Sequence, residues 1–160
     1  MSFRARRSLL PAAVVALVFT ACGDSVTAPE VIEDTQFAES LNIDLSAMTR
    51  LASGLYVQTL TTGTGDPAGP GNTIAVSYTG WLSDGTVFDG GAFDFVLGIG
   101  QVVAGFDEGV EGMRTGEIRR IVIPPALGYG DRGQGPVPPG AIMIFQIEVT
   151  SIGDVPSLGR

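Results

Sequence analysis

One stretch limits what this chain can fold into. From Gln101 to Met113 the apolar residues recur at helical spacing, with Val102, Phe106, Val110 and Met113 at i, i+4, i+8 and i+11. Beyond the N-terminal region no other stretch does this. Gly105, Gly109 and Gly112 each cost such a helix on the order of 1 kcal/mol against alanine. The helix must therefore be held by packing, and its glycines suit a close approach to a sheet. Asp107 and Glu108 fall near its positive end and Arg114 near its negative end. The rest of the folded part reads as strand and turn. The pattern predicts an α+β fold, with one short helix laid across one curved antiparallel sheet and a pocket at the helix ends.

From Gly54 onward the period is that of strands. Leu55, Val57 and Thr59 alternate with Tyr56, Gln58 and Leu60. Residues 62–67 and 70–72 carry turn chemistry, and Ile74 to Thr79 form the second strand. Ser83-Asp84-Gly85-Thr86 connects it as a hairpin to Val87-Phe88. Phe93 to Leu97 reads as a separate strand, and Glu117 to Ile123 as one stopped by Pro124-Pro125. Residues 126–140 are loop. The last strand runs from Ile142 to Ile152, with Met143, Phe145, Ile147 and Val149 facing in and Gln146, Glu148 and Thr150 facing out. These elements make one domain over 51–153, followed by a tail over 154–160.

The N-terminal third reads differently. Arg4, Arg6 and Arg7 precede an apolar run from Leu9 to Ala21, which is too short to span a bilayer. Phe19-Thr20-Ala21-Cys22 is similar to a bacterial lipobox, with phenylalanine where leucine is usual. Residues 1–21 are thus expected to be a lipoprotein signal peptide and Cys22 the lipidated residue, anchoring the chain in the cell envelope. In a two-membrane bacterium, Gly23 after the cysteine implies, by the rule for such lipoproteins, the outer membrane, where the domain is expected to face the periplasm. Residues 23–36 are polar and expected to be a flexible tether. Over 22–50 the spacing of Phe37, Leu41, Leu45 and Met48 allows one short amphipathic helix, either docked on the domain or a solvated arm.

Composition excludes much chemistry. All nine basic residues are arginine, and there is no histidine. The chain therefore lacks an imidazole base, a His metal ligand, a Schiff-base lysine and a phosphate-loop lysine. Cys22 is the single cysteine, so no disulfide forms within one chain. Without residues 1–21, six arginines face 17 acids, a balance of −11. No nucleic acid is expected on such a surface. The Gly128-Tyr129-Gly130-Asp131-Arg132-Gly133 run fits G-x-G-x-x-G, but it follows two prolines and runs into Pro136, Pro138 and Pro139, so no helix can open on it. Asp89 with Glu108 as a glycosidase pair, or a Ca²⁺ site over 84–94, finds no support in spacing. No cofactor or metal is expected.

What remains is a supply of aromatic residues beside turns: Tyr78, Phe88, Phe93, Phe95, Phe106 and Tyr129, with Asp89 next to Phe88. An apolar pocket edged by a few polar groups has the composition of a ligand site. The segments Val76-Ser77-Tyr78-Thr79-Gly80-Trp81, Asp84 to Asp89, Phe95-Val96-Leu97-Gly98, Gln101 to Val110, Pro125 to Gly130 and Val137 to Ala141 follow one another in order. Together they resemble the FKBP-type peptidyl-prolyl isomerases, over residues 54–152.

The resemblance implies a five- or six-stranded half-barrel wrapped on one helix. It implies isomerisation of X-Pro bonds in unfolded or partly folded exported proteins, and binding of the family's macrolide inhibitors. It implies a pocket of Tyr78, Phe88, Asp89, Phe95, Val102, Val103, Phe106, Tyr129 and Phe145, with Asp89, Tyr129 and Phe88 as the catalytic set. Phe106 stands where many members have tryptophan, which implies a slightly deeper pocket. Gly90-Gly91 replace the usual serines, which implies a looser loop. The flap from Asp131 to Val137 is too short for an inserted chaperone domain. The same groove without turnover would make a holdase, but the complete set of Tyr78, Phe88, Asp89 and Tyr129 argues for turnover.

Overall fold

The computed structural model describes residues 28–153. The basic leader, Cys22 and the 154–160 tail lie outside the described residues. Six strands form the frame: β1 (Thr49–Arg50), β2 (Tyr56–Thr61), β3 (Thr73–Leu82), β4 (Val87–Val96), β5 (Ile118–Ile123) and β6 (Met143–Gly153). They make one antiparallel sheet in the order β1-β2-β5-β6-β3-β4. β1 and β4 are its open edges, so the sheet is a half-barrel, not a closed one. Register shifts between Thr59 and Thr61, Ala75 and Val76, and Gly80 and Trp81 interrupt the ladders. Bulges of this kind bend a strand and let a sheet curl around a helix.

That helix is α1 (Ala104–Val110), seven residues long. It starts later than the apolar stripe suggests: Val102 precedes it and Val103 is its N-cap. Phe106 and Val110 still face the sheet and are buried, as is Met113 beyond its end. The glycines act as expected. A Cβ on Gly105 would lie 2.5 Å from Ile123 Cγ2, and one on Gly109 would lie 2.8 Å from Ile121 Cδ1. The helix can touch β5 only because those two positions have no side chain.

The negative end of α1 is held by a different arginine from the one the sequence suggests. Arg114 turns away to donate to the Gly65 carbonyl. Arg119 on β5 instead donates to the carbonyls of Gly109 (2.9 Å) and Glu111 (3.1 Å). Its other edge meets the buried Glu117 carboxylate at 2.7 Å. A cation at the last helical carbonyls complements the dipole. A buried ion pair holds only when its remaining donors and acceptors are matched, and here Thr59 and the Arg114 N–H also donate to Glu117.

β4 runs unbroken from Val87 to Val96, where the sequence suggested two pieces. Gly90 and Gly91 pair with Thr79 and Tyr78 in the ladder, so they belong to a strand and not to a loose loop. In β6 the inward set is Met143, Phe145, Ile147 and Val149, all buried.

The larger departure is residues 28–50. They are neither a tether nor an amphipathic α-helix. They form a strap of three short 3-10 turns, Ile32–Asp34, Glu39–Leu41 and Leu45–Ala47, ending in β1. Ile32, Leu41 and Met48 are buried with Tyr56, Val122, Ile142 and Ile144, and Phe37, Ala38, Ile43, Leu45 and Trp81 pack against them. These residues lie on the outer face of the sheet, opposite α1. β5 and β6 are therefore covered on both faces, which explains the unbroken Ile121-Val122-Ile123 run. Polar bonds fasten the strap: Arg120 donates to the carbonyls of Leu41 and Asn42, and the Tyr56 hydroxyl donates to Glu33 at 2.9 Å.

Candidate functional site

The inner face of β3, β4 and β6 meets α1 in a cluster of rings. Phe106 is its hub. Its ring centroid lies 5.3 Å from Phe145, 5.8 Å from Phe95, 5.9 Å from Tyr78 and 6.0 Å from Phe93. Most of these contacts are edge-to-face, the arrangement that ring quadrupoles favour. Phe88 joins at one side, 5.4 Å from Phe145. Gly80 on β3 makes this possible, since a Cβ there would lie 2.8 Å from both Phe145 and Phe88.

Next to Phe88 opens a cleft of about 260 Å³. One wall is Phe88 and Asp89 at the start of β4; the other is Tyr129 and the flap from Gln134 to Val137. A drug-sized ligand needs about 300–1,000 Å³, so this volume suits a single ring with its flanking backbone.

The hairpin 83–86 places Phe88 and Asp89 together at the cleft mouth. Gly85, at φ +87°, supplies the tight turn, and Asp84 accepts from the Thr86 N–H at 2.8 Å. The carboxylate of Asp89 is fixed at both oxygens. Oδ2 accepts from the Tyr78 hydroxyl at 2.8 Å and Oδ1 from the Gly90 N–H at 2.8 Å. Burial, and then the bond to Asp89, push the Tyr78 hydroxyl up to about 12. Its neutral form is therefore favoured in the fold. As pH rises from 10 toward 12, unfolded chains release this proton before folded ones do, so Tyr78 removes stability across that window and leaves it untouched below. Spectrophotometric titration of the phenols checks this. Asp89→Asn should lower the Tyr78 midpoint, while burial keeps it above 10.0; an unmoved midpoint would show that Asp89 contributes nothing to it.

Two half-buried residues carry donors without partners in the chain. Among the described residues, neither the Tyr129 hydroxyl nor the Val103 N–H donates to an acceptor within the chain. Val103 is the N-cap, with extended backbone at φ −61° and ψ 147°, so its N–H has no acceptor in the helix ladder. Its carbonyl already accepts from the N–H groups of Phe106 and Asp107.

The nine residues picked from the sequence divide into groups. Phe88, Asp89 and Tyr129 line the cleft. Tyr78, Phe106 and Phe145 form the ring cluster behind it. Val102 and Val103 are half-buried against the same core. Phe95 does not belong with them: it is 3% exposed, behind Phe106. The half-buried Phe93, absent from those nine, is the β4 phenylalanine that meets Tyr78, edge-on at 5.3 Å. Phe93 and Phe95 share one face of a strand, so alternation could not separate them. Only the position of α1 does. Phe106 is itself 3% exposed, so it backs the cleft and does not surface it. Asp89 and Glu108 have separate partners, since Glu108 accepts from Ser53.

Comparison with known proteins agrees with this geometry. Residues 65–150 match the sequence family described as FKBP-type peptidyl-prolyl cis-trans isomerase. An FK506-binding protein of Neisseria meningitidis is 43% identical over 105 residues, which is 62% of this chain and 96% of that one. The crystal structure of AtFKBP13 superposes with a TM-score of 0.62 at 34% identity, covering 65% of this chain and 97% of that one. FkpA from Escherichia coli superposes at 0.66 and 28% identity, over 74% of this chain and 56% of that one. With this fold and these relatives, the chain belongs to the FKBP-type peptidyl-prolyl cis-trans isomerases.

Proposed function

We propose that this enzyme speeds X-Pro bond rotation in exported proteins by binding the prolyl segment in the cleft between Phe88-Asp89 and the Tyr129–Val137 flap. The observation that carries the reading is the arrangement around Phe88: an open cleft against a continuous ring cluster, lined by the anchored Asp89 carboxylate and by Tyr129. The X-Pro barrier is about 18–20 kcal/mol, and uncatalysed exchange takes tens to hundreds of seconds. No bond breaks, so no nucleophile or base is needed, which suits a chain without histidine. The planar imide is resonance-stabilised, and water favours its polar form. Aromatic surroundings weaken that ground state against the twisted one, where nitrogen regains its lone pair. The pyrrolidine packs on Phe88 and Val137, with Tyr78, Phe106 and Phe145 behind. The Val103 N–H and the Tyr129 hydroxyl each donate to a substrate carbonyl and hold the chain while the bond turns. Asp89 fixes Tyr78 and turns its charge toward the rotating imide.

Macrolides such as FK506, for which the Neisseria relative is named, would occupy the same cleft. Export and anchoring rest on the leader, residues 1–21, and on Cys22. Lipid at Cys22 would hold the domain at the outer membrane, facing the periplasm. Fatty-acid labelling lost in Cys22→Ala tests that part.

The function is tested by magnetisation-exchange NMR on X-Pro peptides, using the chain from Gly23 onward, with and without FK506. Accelerated exchange that FK506 abolishes supports the isomerase and its cleft. Peptide binding without acceleration overturns turnover.

A further inference from the structure

The two walls of the cleft stand on loops that the strap ties together. One wall follows the hairpin turn at Ser83. The other stands on the loop whose base is Gly130 and Gly140, where the Gly140 N–H donates to the Gly130 carbonyl at 2.8 Å. Within that loop Gln134 and Val137 exchange backbone bonds at 2.9 Å, which shapes the flap. Glu30 of the strap reaches both loops. Oε1 accepts from the Ser83 hydroxyl at 2.9 Å, and Oε2 accepts from the Ile142 N–H at 2.8 Å. The Glu30 N–H donates to the Gly140 carbonyl at 2.8 Å. Nearby, the Ala38 N–H donates to the Ser83 carbonyl at 2.9 Å. Gly140 is kept bare by this seat, since a Cβ there would lie 2.8 Å from Pro29 Cα.

We propose that Glu30 is a positioning residue for the isomerase. Its carboxylate clamps the Ser83 hairpin to the base of the flap and so sets the spacing of Phe88-Asp89 from Tyr129–Val137. This rests on the reading of that cleft as the prolyl site. Glu30 touches no substrate and acts through the two loops. It makes a separate demand on the chain: the cleft belongs to residues 28–153 together, not to the domain from residue 51 alone. A carboxylate that joins two loops through one hydroxyl and one amide restricts both, and misplacement of a substrate-holding group by a fraction of an ångström is enough to reduce binding.

The test uses Glu30→Ala, Glu30→Gln and Ser83→Ala in the full chain, with hydrogen exchange and substrate-titrated NMR exchange read together. In Glu30→Ala the Ile142 and Gly140 amides should exchange at least about tenfold faster, while Ile121 in the core is unchanged. KM for an X-Pro peptide should rise about fivefold with kcat within about twofold, because the walls loosen but the groups on them remain. Glu30→Gln keeps an acceptor and should recover most of both effects. If Glu30→Ala fails to fold, Ser83→Ala carries the same reading with a smaller change in KM. Unaltered exchange at Ile142 in Glu30→Ala, or in Ser83→Ala unaltered exchange at the Ser83 hairpin, overturns the clamp. Faster exchange with unchanged KM overturns its link to the cleft. The exchange readout does not depend on catalysis, so failure of the prolyl site itself would show separately, as unaltered turnover in variants of Phe88 and Asp89.

Discussion

Phe88→Ala or Asp89→Val should lower kcat/KM for X-Pro isomerisation at least about tenfold, a loss of only about 1.4 kcal/mol in transition-state binding. Phe88 is the ring that meets the open cleft, and its removal takes away the apolar wall against which a pyrrolidine would pack. Asp89 is exposed, so its loss leaves no cavity. What it leaves is the Tyr78 hydroxyl without its acceptor and the cleft without its charge. Both variants should keep the wild-type circular dichroism spectrum. Phe88→Ala should unfold somewhat earlier, since half-buried rings contribute less than the about 3–5 kcal/mol of fully buried ones. NMR exchange kinetics on one X-Pro peptide series decides the matter. Near-normal turnover in both variants would remove this cleft from the mechanism.

Ile144→Asp should cost at least about 3 kcal/mol of stability, because it places an unpaired carboxylate in an apolar cluster. Ile144 is 1% exposed, between Ile32, Leu41 and Met48 of the strap and Val122 of β5. If residues 28–50 were a solvated tether, the same position would face water and the substitution would be close to neutral. Trp81, the single tryptophan, packs against this cluster and supplies the fluorescence signal. Urea unfolding followed at Trp81 should show an earlier midpoint. An unchanged midpoint would mean that the strap does not cover the sheet.

Much of the frame was legible because its signals are local. The alternation in β6, the proline stop after Ile123 and the glycine-spaced stripe over Phe106 each fix an element from its own residues. The candidate cleft residues could be named only through the resemblance, and Phe93 and Phe95 show why. Phe93 and Phe95 have the same chemistry, the same face and the same strand, and they differ only in where a distant helix comes to rest. The strap was missed for a related reason. Ile32, Phe37, Leu41 and Met48 are spaced by irregular 3-10 turns, which have no long period to detect. Their partners Val122 and Ile144 lie about a hundred residues away. By alternation Ile144 falls on the outward side with Gln146, Glu148 and Thr150, and an apolar residue there was the available sign that something covers it. The arginine at the end of α1 was assigned by proximity in sequence, while the structure supplies it from β5, across the helix–sheet contact.

The sheet order has a consequence for how this chain comes into being. Among the described residues β6 is the last strand to leave the ribosome, yet it lies between β5 and β3, and its partners on β3 are about seventy residues earlier. Until it arrives, β2 with β5 and β3 with β4 are two halves with no strand pairing between them. Among the described residues the strap emerges first and waits longest, with the cover of Ile32 and Leu41 incomplete until Ile142 and Ile144 emerge. Such non-local pairing makes for slow folding and a long interval of exposed apolar surface. A member of an isomerase family thus completes its own sheet in one late step, and anything that shields residues 28–50 in that interval would raise its yield.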